Sequence, residues 1–354
     1  MALLLIDGFE GYSSVASMIS QSGTTRWFYN AGTPTFDSTT YRTTQVTPAN
    51  SRSLFMSQTG SSITIPATTQ EIIIGFGFRW SGNAYNNRNL ISFGQTNPVG
   101  QGIGVGLFQN GQMYIGAPSN NINDIAVSVV TVSPTNLAPN VWYYLEFRAL
   151  RGGAGAGQFE IRINGVVDTN VTMATNGGGI TGFGNIAIGA ASGNTYNIDD
   201  VYVLDTTGAT NNTFLNPVSV YTLMPNGAGS STGLSVTGSA TNWQSQSEVS
   251  DDTTTYVDGS NTGDKDYYTF QDLPSGVSTI PGVAVKARCT TPDPGTRKVK
   301  LNMKDGSANV SSSSAQVLSM GSWLQYQHLA EKAPDNSAWT KVAVDGLEAG
   351  IEGA

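Results

Sequence analysis

Ten residues, Glu71–Trp80, constrain the fold more than any other stretch. Ile72, Ile74, Phe76, Phe78 and Trp80 alternate with Ile73, Gly75, Gly77 and Arg79. A strict period of two puts five large apolar groups on one face of a strand. The pattern recurs: Ile103, Val105 and Leu107 alternate with Gly102, Gly104 and Gly106, and Phe159, Ile161 and Ile163 alternate with Glu160 and Arg162. Val141–Leu150, Asn185–Gly189 and Ile198–Leu204 read as further strands. Asn110-Gly111 and Asn164-Gly165 follow or separate such runs, the strongest short hairpin signal. No apolar stripe at helical spacing interrupts the first two hundred residues. Many short strands with glycine-rich turns predict an all-β fold, a sandwich or jelly roll. Alternate glycines on a strand let a ring, a backbone or a ligand approach closely, and tight sheet packing is the first reading.

Composition limits the chemistry. The chain has 354 residues, 39% of them hydrophobic, which is enough for a core and excludes wholesale disorder. Its 17 basic and 25 acidic residues are about half the usual charged share. The single Cys289 excludes a disulfide framework within one chain, and the single His328 argues against a His-rich metal site or a Ser-His-Asp triad. A net charge of −8 argues against nucleic acid as the main partner. The apolar run near Met1 is too short for a signal segment, and no stretch approaches the length of a membrane helix, so no membrane insertion is expected. All seven lysines lie at or beyond Lys265, whereas eight of the ten arginines lie before residue 163. That shift predicts two domains with a breaker-rich junction beginning near Asp205–Asn212. The expected division is 1–206, a junction over 207–240 rich in Gly, Ser and Thr, and 241–354.

The order of motifs in the first part resembles a known family. Trp142-Tyr-Tyr-Leu145-Glu146, Gln158-Phe-Glu-Ile-Arg-Ile-Asn164-Gly165, Asn185-Ile-Ala-Ile-Gly189 and Ile198-Asp199-Asp200-Val201 resemble a concanavalin A-like (laminin-G-like) jelly roll over residues 1–206. The resemblance implies that Leu3–Ile6 pairs with Val201–Leu204. The family includes lectins, glucanases and purely structural modules. The paired carboxylates of its glucanase branch have no match here, because Glu160-Ile-Arg162 places an arginine where a second acid would stand. Asp199 and Asp200 are adjacent, so on a regular strand they point to opposite faces. One of the two is expected to cap a neighbouring loop through its backbone N–H groups, and a calcium ligand, which would need six or more oxygens, is the minority reading.

One segment has the chemistry to bind a sugar. Trp80 and the loop that follows it carry Asn83, Tyr85, Asn86 and Asn87. Tyr85 would stack on a pyranose face, and the asparagines would read hydroxyls. These five are the candidate glycan-binding residues. No catalytic residue and no metal ligand is expected.

The second part has its own amphipathic strands. Val283, Val285, Ala287 and Cys289 alternate with Lys286 and Arg288, which makes Cys289 a small packed residue. Val299, Leu301 and Met303 alternate with Lys298, Lys300 and Lys304, and Asp305-Gly306 turns the chain. His328 follows Leu324 and Tyr326 on another alternating run and is expected to pack or sit at an edge. Asp251, Asp252, Asp258, Asp264, Asp266 and Asp272 face one Lys265, but their spacing does not match an EF-hand loop. No cofactor is expected, and calcium is the one ion this segment leaves open. Asp264 and Asp266 have alternate spacing but are expected to be exposed. Thr340 as N-cap, Val344 and Leu347 at i, i+3, and Gly350 as the residue after the end predict a short terminal helix.

Ile198–Gly208, Asn212–Gly227, Asp251-Asp252-Thr-Thr-Thr-Tyr256-Val257, Gly263-Asp-Lys-Asp266-Tyr-Tyr and Ala338-Trp-Thr340 through Leu347-Glu-Ala-Gly350 together resemble a recurrent segment of tailed-bacteriophage virion proteins. That resemblance spans residues 198–350. It implies a non-enzymatic structural component of a phage particle, tail- or fibre-associated or decorating the head. Other virion proteins and further copies of the chain would be its partners, and the virion, assembled in the host cytoplasm, its location. A carbohydrate-binding adhesin for host-surface glycans is the alternative, and a polysaccharide hydrolase the third reading.

Overall fold

The computed structural model describes residues 2–31, 34–82, 88–95, 102–117, 128–189, 195–248 and 253–354. The chain divides into two compact units. Met1–Phe9, Thr24–Thr43 and Ser51–Val220 form the first; Glu10–Gly23, Thr44–Asn50 and Tyr221–Ala354 form the second.

The first unit holds β1 (Leu3–Asp7), β2 (Arg26–Ala31), β3 (Thr35–Asp37), β4 (Ser53–Ser57), β5 (Gly60–Thr69), β6 (Glu71–Trp80), β7 (Arg88–Gly94) and β8 (Gly102–Leu107). It continues with β9 (Gln112–Ala117), β10 (Ser128–Asn136), β11 (Tyr143–Leu150), β12 (Gly157–Ile163), β13 (Val166–Met173), β14 (Phe183–Gly189) and β15 (Thr195–Leu204). One antiparallel sheet runs β13-β12-β11-β6-β15-β4-β3, with β1 added on β15; the other runs β10-β9-β8-β7-β14-β5-β2. This is the expected concanavalin A-like jelly-roll sandwich.

The alternation in β6 shows why it forms. Ile72, Ile74, Phe76 and Phe78 are buried on one face and meet the buried Leu145, Phe147 and Ala149 of β11. Phe93 of β7 reaches Phe159 of β12 with ring centroids 5.7 Å apart, an edge-on pair that joins the two sheets across the core. The predicted pairing of first and last strands is present, with Leu3 opposite Leu204 and Asp7 opposite Val201. Asn164 and Gly165 both have positive φ, 51° and 82°, which the tight β12–β13 hairpin requires. The alternate glycines of β8 serve packing: a Cβ on Gly106 would stand 2.1 Å from the Tyr114 ring.

The second unit is a smaller β-domain with two short helices, α1 (Val15–Ile19) and α2 (Lys341–Asp345). Its strands are β16 (Pro225–Thr232), β17 (Ser235–Thr237), β18 (Tyr256–Asp258), β19 (Lys265–Phe270), β20 (Val283–Cys289), β21 (Lys298–Lys304), β22 (Val310–Ser312), β23 (Gln316–Val317), β24 (Leu324–Ala330) and β25 (Glu348–Gly353). The main sheet runs β16-β19-β25-β21-β22 with β23 also on β21; β17-β18 and β20-β24 are separate pairs. Met303, Trp339, Val344 and Leu347 share one apolar cluster, and Val299, Leu301 and Tyr326 another, against which Cys289 packs. Burial pushes the Cys289 thiol up to about 12, as the packed reading requires.

The terminal helix is shorter than its sequence pattern suggests. Thr340 does cap it, accepting from Ala343 N at 3.1 Å, but it ends at Gly346. The residues after Leu347 become β25, between β19 and β21. Gly350 is therefore not a helix stop. A Cβ there would lie 1.8 Å from the Asp266 carbonyl oxygen, so the close approach of β19 demands glycine.

Candidate functional site

Trp80 lies on the same face of β6 as Phe76 and Phe78 and is only 2% exposed. Among the described residues its indole Nε1 has no hydrogen-bond partner. The other four candidate glycan residues, Asn83, Tyr85, Asn86 and Asn87, lie outside the described residues.

A buried polar cluster lies on the outer face of the larger sheet. Gly75 and Gly77 leave a shallow floor there. A Cβ on Gly75 would stand 2.3 Å from the Tyr202 ring, and one on Gly77 2.5 Å from Arg42 Cδ. Tyr144 and Tyr202 stack over this floor with centroids 6.4 Å apart. The Arg42 guanidinium lies 4.7 Å above the Tyr144 ring. Tyr202 OH donates to Glu146 Oε1 and accepts from Leu215 N at 3.2 Å.

Asp199 and Asp200 complete the cluster in a way a regular strand would not allow. Asp200 has φ 52°, and the register of β15 on β6 shifts between Asp199 and Tyr202. This bulge turns both carboxylates toward the Arg42–Thr43 loop instead of to opposite faces. Asp199 Oδ2 accepts from the backbone N–H groups of Arg42 at 2.7 Å and Thr43 at 3.3 Å, while its Oδ1 accepts from Asp200 N at 2.8 Å. Asp200 Oδ2 accepts from Arg42 Nη1 at 2.5 Å and Thr43 Oγ1 at 2.6 Å. Its Oδ1 takes Val220 N at 2.7 Å, and Arg42 Nη1 also donates to Val218 O at 2.6 Å. Where one capping aspartate is expected, both accept backbone N–H groups, Asp199 from Arg42 and Thr43 and Asp200 from Val220.

The acids here hold chain segments in place. Glu146, Asp199 and Asp200 are fully buried, and Leu215, Val218 and Val220 of the exit segment, Phe214–Val220 at the end of the first unit, are tied to them or to their partners. Arg162 lies 3.9 Å above the Phe214 ring and fixes the start of that segment. Sequence reasoning found Asp199 and Asp200 but missed Arg42, Thr43, Tyr144, Glu146 and Tyr202. The available signal was Gly75 and Gly77, two gaps on the polar face of an otherwise bulky strand.

Two adjacent buried carboxylates, only one of which pairs with a guanidinium, are not both comfortable as anions. Burial, then the Asp200 charge, pushes the Asp199 carboxyl up to about 8, and burial raises Asp200 and Glu146 as well. Asp199 in the unfolded chain ionises near its ordinary 3.8, well below the folded value. The stabilisation is complete below that lower value and is lost as pH rises through about 8. The first unit is expected to melt at progressively lower temperature between pH 5 and 9. Asp199→Asn should flatten that slope, as read by calorimetry; an equal slope in both proteins would remove Asp199 from the account.

Elsewhere the candidate acids part ways. Asp266, expected to be exposed, is fully buried: β19 is an inner strand, flanked by β16 and β25. It accepts from Gly233 N, Leu234 N, Asn242 Nδ2 and Tyr268 OH at 2.6–2.9 Å. Asp264 instead accepts from Asn261 N at 2.9 Å in a turn. Asp251 and Asp252 lie outside the described residues. Among the described residues no cluster of three or more His, Cys, Asp or Glu could hold a metal ion. His328 Nε2 meets Ser311 Oγ at 3.0 Å, and burial lowers its pKa.

No protein-family model and no curated protein matches the chain. Solved structures with a similar chain path include an alginate lyase in complex with alginate tetrasaccharide: 9% identity, 56% of this chain and 95% of that one, TM-score 0.37. An endo-β-1,4-glucuronan lyase from the fungus Trichoderma reesei is 16% identical over 50% of this chain and 94% of its own, TM-score 0.35. The carbohydrate recognition domain of Emp46p, in a metal-free form, is 12% identical over 56% and 98%, TM-score 0.32.

Proposed function

We propose that the chain works by contact and not by turnover: a non-enzymatic jelly roll that meets a glycan surface, carried on a second β-domain that fixes it in a larger assembly. The carrying observation is the closed polar cluster. Asp199 and Asp200 bond to the protein's own loop and exit segment, Glu146 accepts from Tyr202 OH, and all three are fully buried. A glycosidase needs two carboxyl groups about 5–10 Å apart that are open to a sugar between them, and these three are buried against the protein's own groups. The likeness of residues 198–350 to tailed-phage virion proteins supports a phage particle as the assembly. Other virion proteins would then be its partners and the virion its location. The lectin branch of the jelly-roll family supports a glycan as what the first unit touches. Among the described residues no helix is long and apolar enough to cross a membrane.

The test is to incubate the purified chain with a panel of neutral and acidic polysaccharides, reading retention by affinity electrophoresis and product by released reducing ends. Retention without product is expected. Product release that Asp199→Asn or Glu146→Gln abolishes would overturn the non-enzymatic reading. Failure to retain any polymer would remove the glycan. Mass spectrometry of purified phage particles should find the chain in many copies if the particle reading holds.

A further inference from the structure

The boundary between the two units is not a single point in the chain. Residues 10–23 and 44–50 belong to the second unit, so the chain passes from one unit to the other after Phe9, Gly23, Thr43, Asn50 and Val220. Glu10–Gly23 is built into the second unit. Gln21 bridges Gln325 of β24 in parallel, with Ser22 N donating to Gln325 O at 2.9 Å and Gln325 N donating to Ser20 O at 2.8 Å. Both backbone groups of Gln325 are thus spent on this segment, which closes the edge of β24 away from β20. Tyr12 is 1% exposed, and its hydroxyl accepts from Gln21 Nε2 at 2.8 Å and from Lys286 Nζ of β20 at 3.3 Å. Met18 of α1 is fully buried. Thr44–Asn50 is tied in as well: Gln45 Oε1 accepts from Thr222 N at 2.8 Å, and Thr47 Oγ1 from Gln271 Nε2 at 3.0 Å. The lending runs in both directions. Asn212 and Thr213 are exposed and lie outside any strand, yet the residues just beyond them return to the first unit, where Leu215 N meets Tyr202 and Val220 N meets Asp200.

We propose that the two units are interlaced, so that a break in the chain between Asn212 and Thr213 releases neither of them. The piece 1–212 keeps Glu10–Gly23 and Thr44–Asn50 in the second unit, and the piece 213–354 keeps Phe214–Val220 in the first. Each unit then contains residues of both pieces. What joins the pieces is the interior of a folded domain, the kind of contact that obligate complexes make, and not a surface patch. Exposed loops with small polar residues are where proteases nick a folded chain. Interlacing makes a nick here harmless: the unit proposed to meet a glycan stays on the unit proposed to hold it. That benefit rests on the proposed function, whereas the interlacing holds whatever the first unit touches.

The test uses the full chain with the recognition site of a sequence-specific protease inserted between Asn212 and Thr213. After complete cleavage, judged on a denaturing gel, the two pieces should elute together in native buffer at the volume of the uncut chain. The Gln325 amide should still exchange slowly with solvent in the cut protein. Met18→Ala removes most of a fully buried side chain from the lent segment and should weaken the association of the pieces about tenfold or more. Tyr12→Phe keeps the ring, loses only the bonds from Gln21 and Lys286, and should weaken it in the same direction. Val342→Lys, at a position 82% exposed on the second unit, should leave it unchanged. None of these readings involves a polysaccharide, so they fail separately from the glycan contact. Pieces that part in native buffer overturn the proposal. So does a cut protein whose Gln325 amide exchanges as in an unfolded chain, or one whose pieces hold as tightly with Met18→Ala and Tyr12→Phe as without them.

Discussion

Removing residues 1–7 will unfold the first unit at room temperature. β15 has β6 along one side, but its other side is shared: Thr195–Ile198 pair with β4, and Val201–Leu204 with β1. Without β1 the second half of that side has no ladder, and a buried apolar run becomes an open edge. Leu3 and Leu5 are buried, and losing one such side chain costs about 2–5 kcal/mol. Asp7 goes too. Its Oδ2 accepts from the Trp27 indole at 2.9 Å and its Oδ1 from Phe9 N at 3.0 Å, so a buried indole N–H would lose a partner. Together these losses rival the whole stability of a typical domain, about 5–15 kcal/mol. Tryptophan fluorescence and near-ultraviolet circular dichroism of the truncated chain should show no cooperative melt for this unit. An unchanged melting temperature would refute the argument.

How much of this was legible beforehand depends on whether a property is local. The inner face of β6 is written in five alternating side chains, and the β12–β13 turn in Asn164-Gly165; both need only neighbouring residues. The pairing of β1 with β15 spans almost two hundred residues, and it was reached by resemblance to the jelly-roll family, since nothing local specifies it. The terminal helix failed for the opposite reason. Thr340 and Val344 carry a genuine helix start, but Leu347 and Ala349 also suit a strand, and the slot between β19 and β21 decides the matter. Tertiary context overrides a pattern that short.

The polar cluster was the least legible part. Asp199 and Asp200 stand out in the sequence, yet a period of two sends them to opposite faces. The left-handed backbone at Asp200 breaks the period, and aspartate is one of the few side chains that tolerates it. Arg42 lies far from every motif in the sequence. Its position is set only once the loop after β3 folds over Gly77. A buried acid also reads as solvated from sequence alone: Asp266 shows four donors converging on one carboxylate, none of them a cation.

Arg42→Ala tests whether the cluster clasps the segment Phe214–Val220 to the sheet. The side chain is 20% exposed, so its pairing with the fully buried Asp200 is not a surface ion pair. Removing it leaves the Asp200 carboxylate in a low-dielectric site with hydroxyl and backbone donors only. Breaking a buried pair from one side costs about 3–5 kcal/mol, because the remaining charge has lost its compensation. Val218 O loses its guanidinium donor as well, so backbone amides in Phe214–Val220 should exchange faster than in the wild-type chain. Arg42→Ala combined with Asp200→Asn should recover part of the loss, since removing both charges strands neither. The double-mutant cycle in denaturant therefore separates the clasp from simple packing. If Arg42→Ala costs under about 1 kcal/mol, the value of an exposed pair, the exit segment is held by something other than this cluster.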